Sequence, residues 1–221
     1  MRIVGALCII LTLAGSSFAQ ALTADQILAK LDEKAKVFQT FEASFAMVQV
    51  LSEVKTQPES GKIYMKAGKA APMVMLDVTT PPRAVKKVWV RDSKAVIYNR
   101  PQSTYQEYKV GPNSSAFDLL LTGLGVSAQT MKKHYDPQAK GREMIDGVMA
   151  EVLDLTLLPS EPGPFKTVTL WLDPKTWTPV QLRLTEKSSN ITEYKYSSVR
   201  LNKGLSDSVF KIDIPKGAVK Q

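Results

Sequence analysis

The feature that most constrains this chain is a set of alternating segments between Lys166 and Gly217. Val168, Leu170 and Leu172 alternate with Thr167, Thr169 and Trp171. Asp173-Pro174-Lys175-Thr176 then turns the chain, and Val180, Leu182 and Leu184 alternate with Gln181, Arg183 and Thr185. A period of two, interrupted by turn residues, is the pattern of a half-buried β-hairpin. The polar turn Lys187 to Asn190 leads into a third strand, Ile191 to Leu201. Ser206-Asp207-Ser208 leads into a last strand, Phe210 to Ile214, stopped by Pro215 and Gly217. Such a meander has an apolar face that must be covered, so the rest of the chain has to supply further sheet and helices.

Upstream, Thr23-Ala24-Asp25-Gln26 is a capping box with Leu22 and Ile27 as a hydrophobic staple. Leu28, Leu31, Ala35 and Phe38 follow at spacings of three and four, which predicts an amphipathic helix of about four turns. From Phe41 the period becomes two, with Phe41, Ala43, Phe45 and Met47 on one side and the strand continuing through Leu51; Pro58 to Gly61 reads as a turn. Lys62 to Lys66 places Ile63 and Met65 on one face. In Met73 to Val78 the polar Asp77 turns Val74, Leu76 and Val78 inward. Val85 to Val90, a reversal at Arg91-Asp92-Ser93-Lys94, Ala95 to Tyr98 and Tyr105 to Val110 read as further strands.

Phe117, Leu120, Leu121 and Leu124 then fall at i, i+3, i+4 and i+7, with Gly123 and Gly125 as the stop, which predicts a short, very apolar helix. Ser127 caps a second short helix, stapled by Val126 and Met131 and ending near His134-Tyr135 before Pro137. Arg142 to Ile145, the Asp146-Gly147 turn and Val148 to Leu158 form another hairpin. Together these give an α+β chain with about eleven antiparallel strands, long enough to curl. Helices that reach the concave side make it a half-open β-barrel closed by a lid of short helices, with a cavity between lid and sheet.

Residues 1–19 stand outside that fold. Met1-Arg2 is a basic head, Ile3 to Ala14 an apolar run shorter than the roughly 20 residues of a spanning helix, and Ser17-Phe18-Ala19 offers small residues for cleavage. They read as a signal peptide with Gln20 as the mature start and Ala21/Leu22 as the alternative, leaving one exported, periplasmic domain, 20–221. Cys8, the only cysteine, lies inside the leader after Leu7, where lipid attachment requires a small residue. The exported domain is therefore expected to have no disulfide, no thiol nucleophile and no cysteine metal site. The net charge of +8 suits an anionic membrane or nucleic acid. Export argues against nucleic acid, and solubility alone accounts for the charge equally well.

The single histidine, His134, follows Lys132-Lys133 at a helix C-terminus, where an imidazole meets the helix dipole favourably. There is no glycine-rich phosphate loop, no G-x-S-x-G and no H-E-x-x-H, and Glu143 with Asp146 reads as a solvated hairpin. These features predict a protein that is not an enzyme and needs no cofactor or metal. What the sequence offers is soft apolar surface: Met47, Met65, Met73, Met75, Met131, Met144 and Met149, beside the Phe117-to-Leu124 helix. Methionine adapts to ligands of variable shape, though at any single position it also serves as a core gap-filler.

The chain resembles the periplasmic outer-membrane lipoprotein carriers of the LolA type. The likeness runs through the N-terminal helix leading into Phe41-x-x-x-Phe45, the strand opening Ser60-Gly61-Lys62-Ile63-Tyr64, and Pro81 followed by Val88-Trp89-Val90-Arg91-Asp92. It continues in the Phe117-to-Leu124 helix and the ending Phe210-Lys211-Ile212-Asp213-Ile214-Pro215-Lys216-Gly217. The resemblance implies an open barrel whose cavity takes the acyl chains of a lipoprotein from an inner-membrane releasing complex to an outer-membrane acceptor. It implies a lining of Phe45, Val74, Leu76, Phe117 and Leu120, to which the inward faces add Met47, Ile63, Met65, Val78, Leu121 and Leu124. Carriers of this type place a lid-latching arginine before a proline; here Ala70 stands in that place and Lys69 is the nearest cation. The expectation is a monomeric carrier of acylated lipoprotein or a related lipid; the alternative is an envelope-stress regulatory or interaction protein of the same fold that binds a membrane-protein partner.

Overall fold

The alternation read from the sequence is realised as a single large sheet. The computed structural model describes residues 21–68, 72–109, 124, 126–163 and 165–221. In chain order the strands are β1 (Thr40–Leu51), β2 (Val54–Lys55), β3 (Glu59–Lys66), β4 (Met73–Thr80), β5 (Lys86–Arg91), β6 (Lys94–Asn99) and β7 (Thr104–Lys109). After these come β8 (Tyr135–Ile145), β9 (Val148–Leu157), β10 (Phe165–Leu172), β11 (Pro179–Glu186), β12 (Ile191–Leu201) and β13 (Val219–Lys220). They lie in the order β13-β7-β6-β5-β4-β3-β1-β12-β11-β10-β9-β8, with β2 folded back on β1. Every pairing is antiparallel except β13 on β7. Among the described residues the end strands β8 and β13 do not pair, so the barrel is open.

β1 is the central strand, since it joins the two meanders: β3 to β7 on one side and β12 to β8 on the other. Helix α1 (Ala24–Val37) leads into it. The capping box forms as the sequence predicts: the Gln26 N–H donates to Thr23 Oγ1 at 3.3 Å and the Thr23 N–H to Gln26 Oε1 at 2.9 Å. Ile27, Leu28 and Leu31 are buried against the sheet, each contributing on the order of 1.5–3 kcal/mol. Asn202 fastens the helix end to the sheet. Its Oδ1 accepts from the backbone N–H groups of Gln39 (2.8 Å) and Thr40 (3.1 Å), and its Nδ2 donates to the Val37 carbonyl (2.8 Å).

Helix α2 (Ala128–His134) is capped by Ser127, as read from the sequence. Its first N–H, that of Ala128, donates to Asp32 Oδ1 of α1 at 2.6 Å, and Lys132 pairs with Asp25 at 2.7 Å. The two helices are thus joined to one another and lie on the same face of the sheet. That inner face holds one continuous core, containing Ile27, Leu28, Leu31 and Met131 with Phe41, Ile63, Leu155, Leu170 and Leu182.

Three readings are corrected by the structure. Phe210 to Ile214 is not a strand: Asp207–Phe210 is a 3-10 turn, and the last strand is β13, beyond Gly217. The alternation there comes from an extended arm that lays Phe210, Ile212 and Ile214 on the outer face of the sheet, against Met75, Trp89, Val96 and Tyr98. Pro58 to Gly61 is not the turn, because the reversal occurs at Ser52-Glu53, both at positive φ, and β3 already begins at Glu59. Pro137 does not bound the hairpin, because β8 is an edge strand and proline leaves no ladder bond unmade on an outward edge.

Candidate functional site

The sequence-predicted lining is brought together on three adjacent strands. Phe45 and Met47 come from β1, Ile63 and Met65 from β3, and Val74, Leu76 and Val78 from β4. The register sets Ile63 opposite Leu76, Met65 opposite Val74 and Val78 opposite Gly61. Directly paired residues share a face, so these side chains form one patch, extended by Val88 and Val90 of β5. All are buried, as is Leu124 just ahead of α2. Phe117, Leu120 and Leu121 lie outside the described residues, as do Lys69 and Ala70. The patch is covered in this state, so an occupant enters only if its cover parts from the sheet.

Gly61 has a specific place in the patch. It sits across from Phe45, and a Cβ there would stand 1.9 Å from the Asp77 carbonyl oxygen of β4. The close approach of β3 and β4 therefore requires glycine at this position.

A second strip crosses the inner face beside the patch and was missed in the sequence. Phe41 meets Tyr196 edge-on with ring centroids 5.9 Å apart, Tyr196 stacks on Tyr194 at 6.3 Å, and Tyr194 meets Phe45 at 6.0 Å. Tyr196 is 8 % exposed, and among the described residues its hydroxyl has no hydrogen-bond partner. Burial pushes the Tyr194 phenol up to about 12, with the Glu59 charge adding to the effect; burial also pushes Tyr196 far up, reinforced by Tyr194. Both rings are neutral donors at physiological pH. The signal was present: Glu193 and Lys195 point Ile191 and its odd-numbered neighbours outward, which leaves Tyr194 and Tyr196 facing in.

At the Glu59 end of the strip, Glu59 Oε2 and Lys86 Nζ form an ion pair at 2.8 Å. Glu59 is registered with the inward Met47 and Lys86 with the inward Val78, so both belong to the inner face. The pair is charge-balanced.

The methionines divide. Met47 and Met65 join the patch and Met131 comes from α2, whereas Met75 packs under the C-terminal arm on the outer face. Met144 and Met149 are exposed near the β8–β9 turn. A groove of about 470 Å³ also lies on the outer face, floored by Ala46, Val48, Val50 and Ile191 and rimmed by Lys55, Arg183, Glu193 and Lys195. It is separate from the predicted lining. His134 is held through Nδ1 by Glu161 at 2.6 Å, which ties α2 to the β9–β10 loop. Among the described residues no group of three or more histidine, cysteine, aspartate or glutamate side chains is placed to hold a metal.

No protein-family model and no curated protein matches the chain. Solved structures do. An uncharacterized conserved protein from Thermus thermophilus aligns at TM-score 0.56 and 10 % identity, over 90 % of this chain and 98 % of that one. A chain of the Pseudomonas aeruginosa MucA/MucB complex aligns at TM-score 0.51 and 15 % identity, over 86 % of this chain and 61 % of that one. A LolA superfamily protein from Nitrosomonas europaea aligns at 0.43 and 17 % identity, over 87 % and 99 %. These are likenesses of fold. The half-open barrel with helices on its inner face, which the resemblance to the lipoprotein carriers implies, is the fold this chain has.

Proposed function

We propose that the protein is a non-enzymatic periplasmic carrier. It shields the acyl chains of a lipoprotein, or of a related lipid, against its inner face and moves them from an inner-membrane releasing complex to an outer-membrane acceptor. The observation that carries this reading is the contiguous apolar patch across β1, β3 and β4, on the same inner face as α1 and α2, in a sheet whose end strands do not pair among the described residues. An open barrel can admit a guest without unravelling its ladder, because the parts that must move are helices and not strands.

Energetics bound the cargo. Burial is worth about 0.8 kcal/mol per CH₂, so a fully buried sixteen-carbon chain supplies roughly 12 kcal/mol. Three such chains would exceed the ceiling of about 18–21 kcal/mol on non-covalent affinity. A carrier must also release its load, so burial is partial and is offset by the cost of parting the cover from the sheet.

Native mass spectrometry of the protein purified from its own periplasm, followed by lipid extraction, tests this. Co-purified acylated species, displaced in a Phe45→Glu variant that still folds, are the expected result. A lipid-free protein that retains a membrane-protein segment instead overturns the carrier reading and favours the interaction protein.

A further inference from the structure

We propose that Tyr196 donates its hydroxyl hydrogen bond to an acyl carbonyl oxygen of the bound ligand, so that the protein selects carbonyl-bearing acyl chains over plain alkyl chains. The inference rests on the carrier reading and adds the recognised group. Tyr196 is more than nine-tenths buried on the inner face, and its oxygen has no partner among the described residues. Buried polar groups are paired in folded proteins, and an unpaired one in an apolar wall marks a place where a partner arrives from elsewhere. A neutral phenol can donate as well as accept, and the bond it donates is satisfied by an arriving group that presents an acceptor.

The surroundings narrow that acceptor. The ring is held T-shaped against Phe41 and stacked on Tyr194, within the hydrophobic core of the inner face. A hydrocarbon chain has nothing to accept the bond. A free carboxylate would need a compensating cation, and among the described inner-face residues of this strip the cation is Lys86, already neutralised by Glu59 at 2.8 Å. A neutral carbonyl satisfies both conditions, whether it comes from a glyceryl ester or from an acyl amide.

The variant Tyr196→Phe removes one oxygen and keeps both ring contacts. Calorimetric titration of wild type and variant with three probes separates the cases: 1,2-dioctanoylglycerol, its dioctyl-ether counterpart and octanoyl ethanolamide. The expected result is about a tenfold loss in the variant, equivalent to about 1.4 kcal/mol, on the ester or amide probe, with the ether unchanged. Which carbonyl probe loses affinity identifies the source. Equal changes on all three, or none, overturn the proposal and leave the hydroxyl to a buried water. A lowered melting temperature in the variant also overturns it, since it would show a partner within the protein. If no probe binds wild type, the carrier reading fails and the inference with it; binding of all probes with no effect of the variant overturns the inference alone.

Discussion

Tyr194 and Tyr196 show how much a single face assignment can change. Read as a strand, Ile191 to Leu201 offers its apolar character at Ile191, Val199 and Leu201; in the structure the burden of the inner wall falls on the two tyrosines. Their phenols titrate above the ordinary value near 10, Tyr194 at about 12. The folded-state pKa exceeds the unfolded one, so the stabilisation is fully present below pH 10 and is lost as pH rises from 10 toward and beyond 12. Ultraviolet titration of the seven tyrosines should therefore show two that ionise only as the fold is lost, and Tyr194→Phe/Tyr196→Phe should remove that late step. Full ionisation of the native protein by pH 11 would contradict the burial of Tyr196 and the partial burial of Tyr194. The strand was legible from alternation alone. The unpaired hydroxyl was not, because the absence of a partner depends on what every neighbouring element presents.

At the scale of elements, most of the sheet was legible because each strand carries a period of two and each reversal its own turn chemistry. Asp146-Gly147 turns at φ 47° and 87°, and Asp92-Ser93 at 52° and 59°, both where short polar residues and glycine tolerate the left-handed region. The C-terminal arm was misread because an extended segment lying flat on a sheet alternates just as a strand does. Its role is to give the outer face of β4 to β6 a core of its own. Phe210 is 1 % exposed and packs with Trp89, while Lys66 holds the arm through Asp207 at 2.6 Å and the Leu205 carbonyl at 3.2 Å. Phe210→Ala should cost about 3–5 kcal/mol in denaturant unfolding. The inner face is a separate cluster, so acyl-ligand affinity of the folded fraction should not change. A large loss of affinity at unchanged stability would mean that the arm, and not the inner face, carries the site.

For the molecule as a whole, the two faces of one sheet have different work: the outer face of β4 to β6 is closed by an arm that pairs as β13, and the inner face carries helices that pack on it through side chains, with the Leu158 N–H donating to the His134 carbonyl at the end of α2 (3.0 Å). On the carrier reading the inner cover is the part that moves. The contact between α1 and α2 is the place to test it, since Asp32 Oδ1 accepts the Ala128 N–H at 2.6 Å and so holds the start of α2 to the middle of α1. A carboxylate at a helix N-terminus of this kind is worth about 0.5–2 kcal/mol. Asp32→Ala should therefore leave the sheet intact, lower overall stability by no more than that amount, and raise the frequency with which α2 lifts from β8. Backbone hydrogen exchange should quicken in Ala128–His134 while β10 and β11 keep their protection. If the cover gates the patch, release of a bound acyl probe should quicken in the same variant by about two- to thirtyfold, tracking the loss of the hydrogen bond. Faster exchange in α2 with unchanged release would separate α2 from the gate and leave α1, anchored by Asn202 to β1, as the only described helix still able to serve as one.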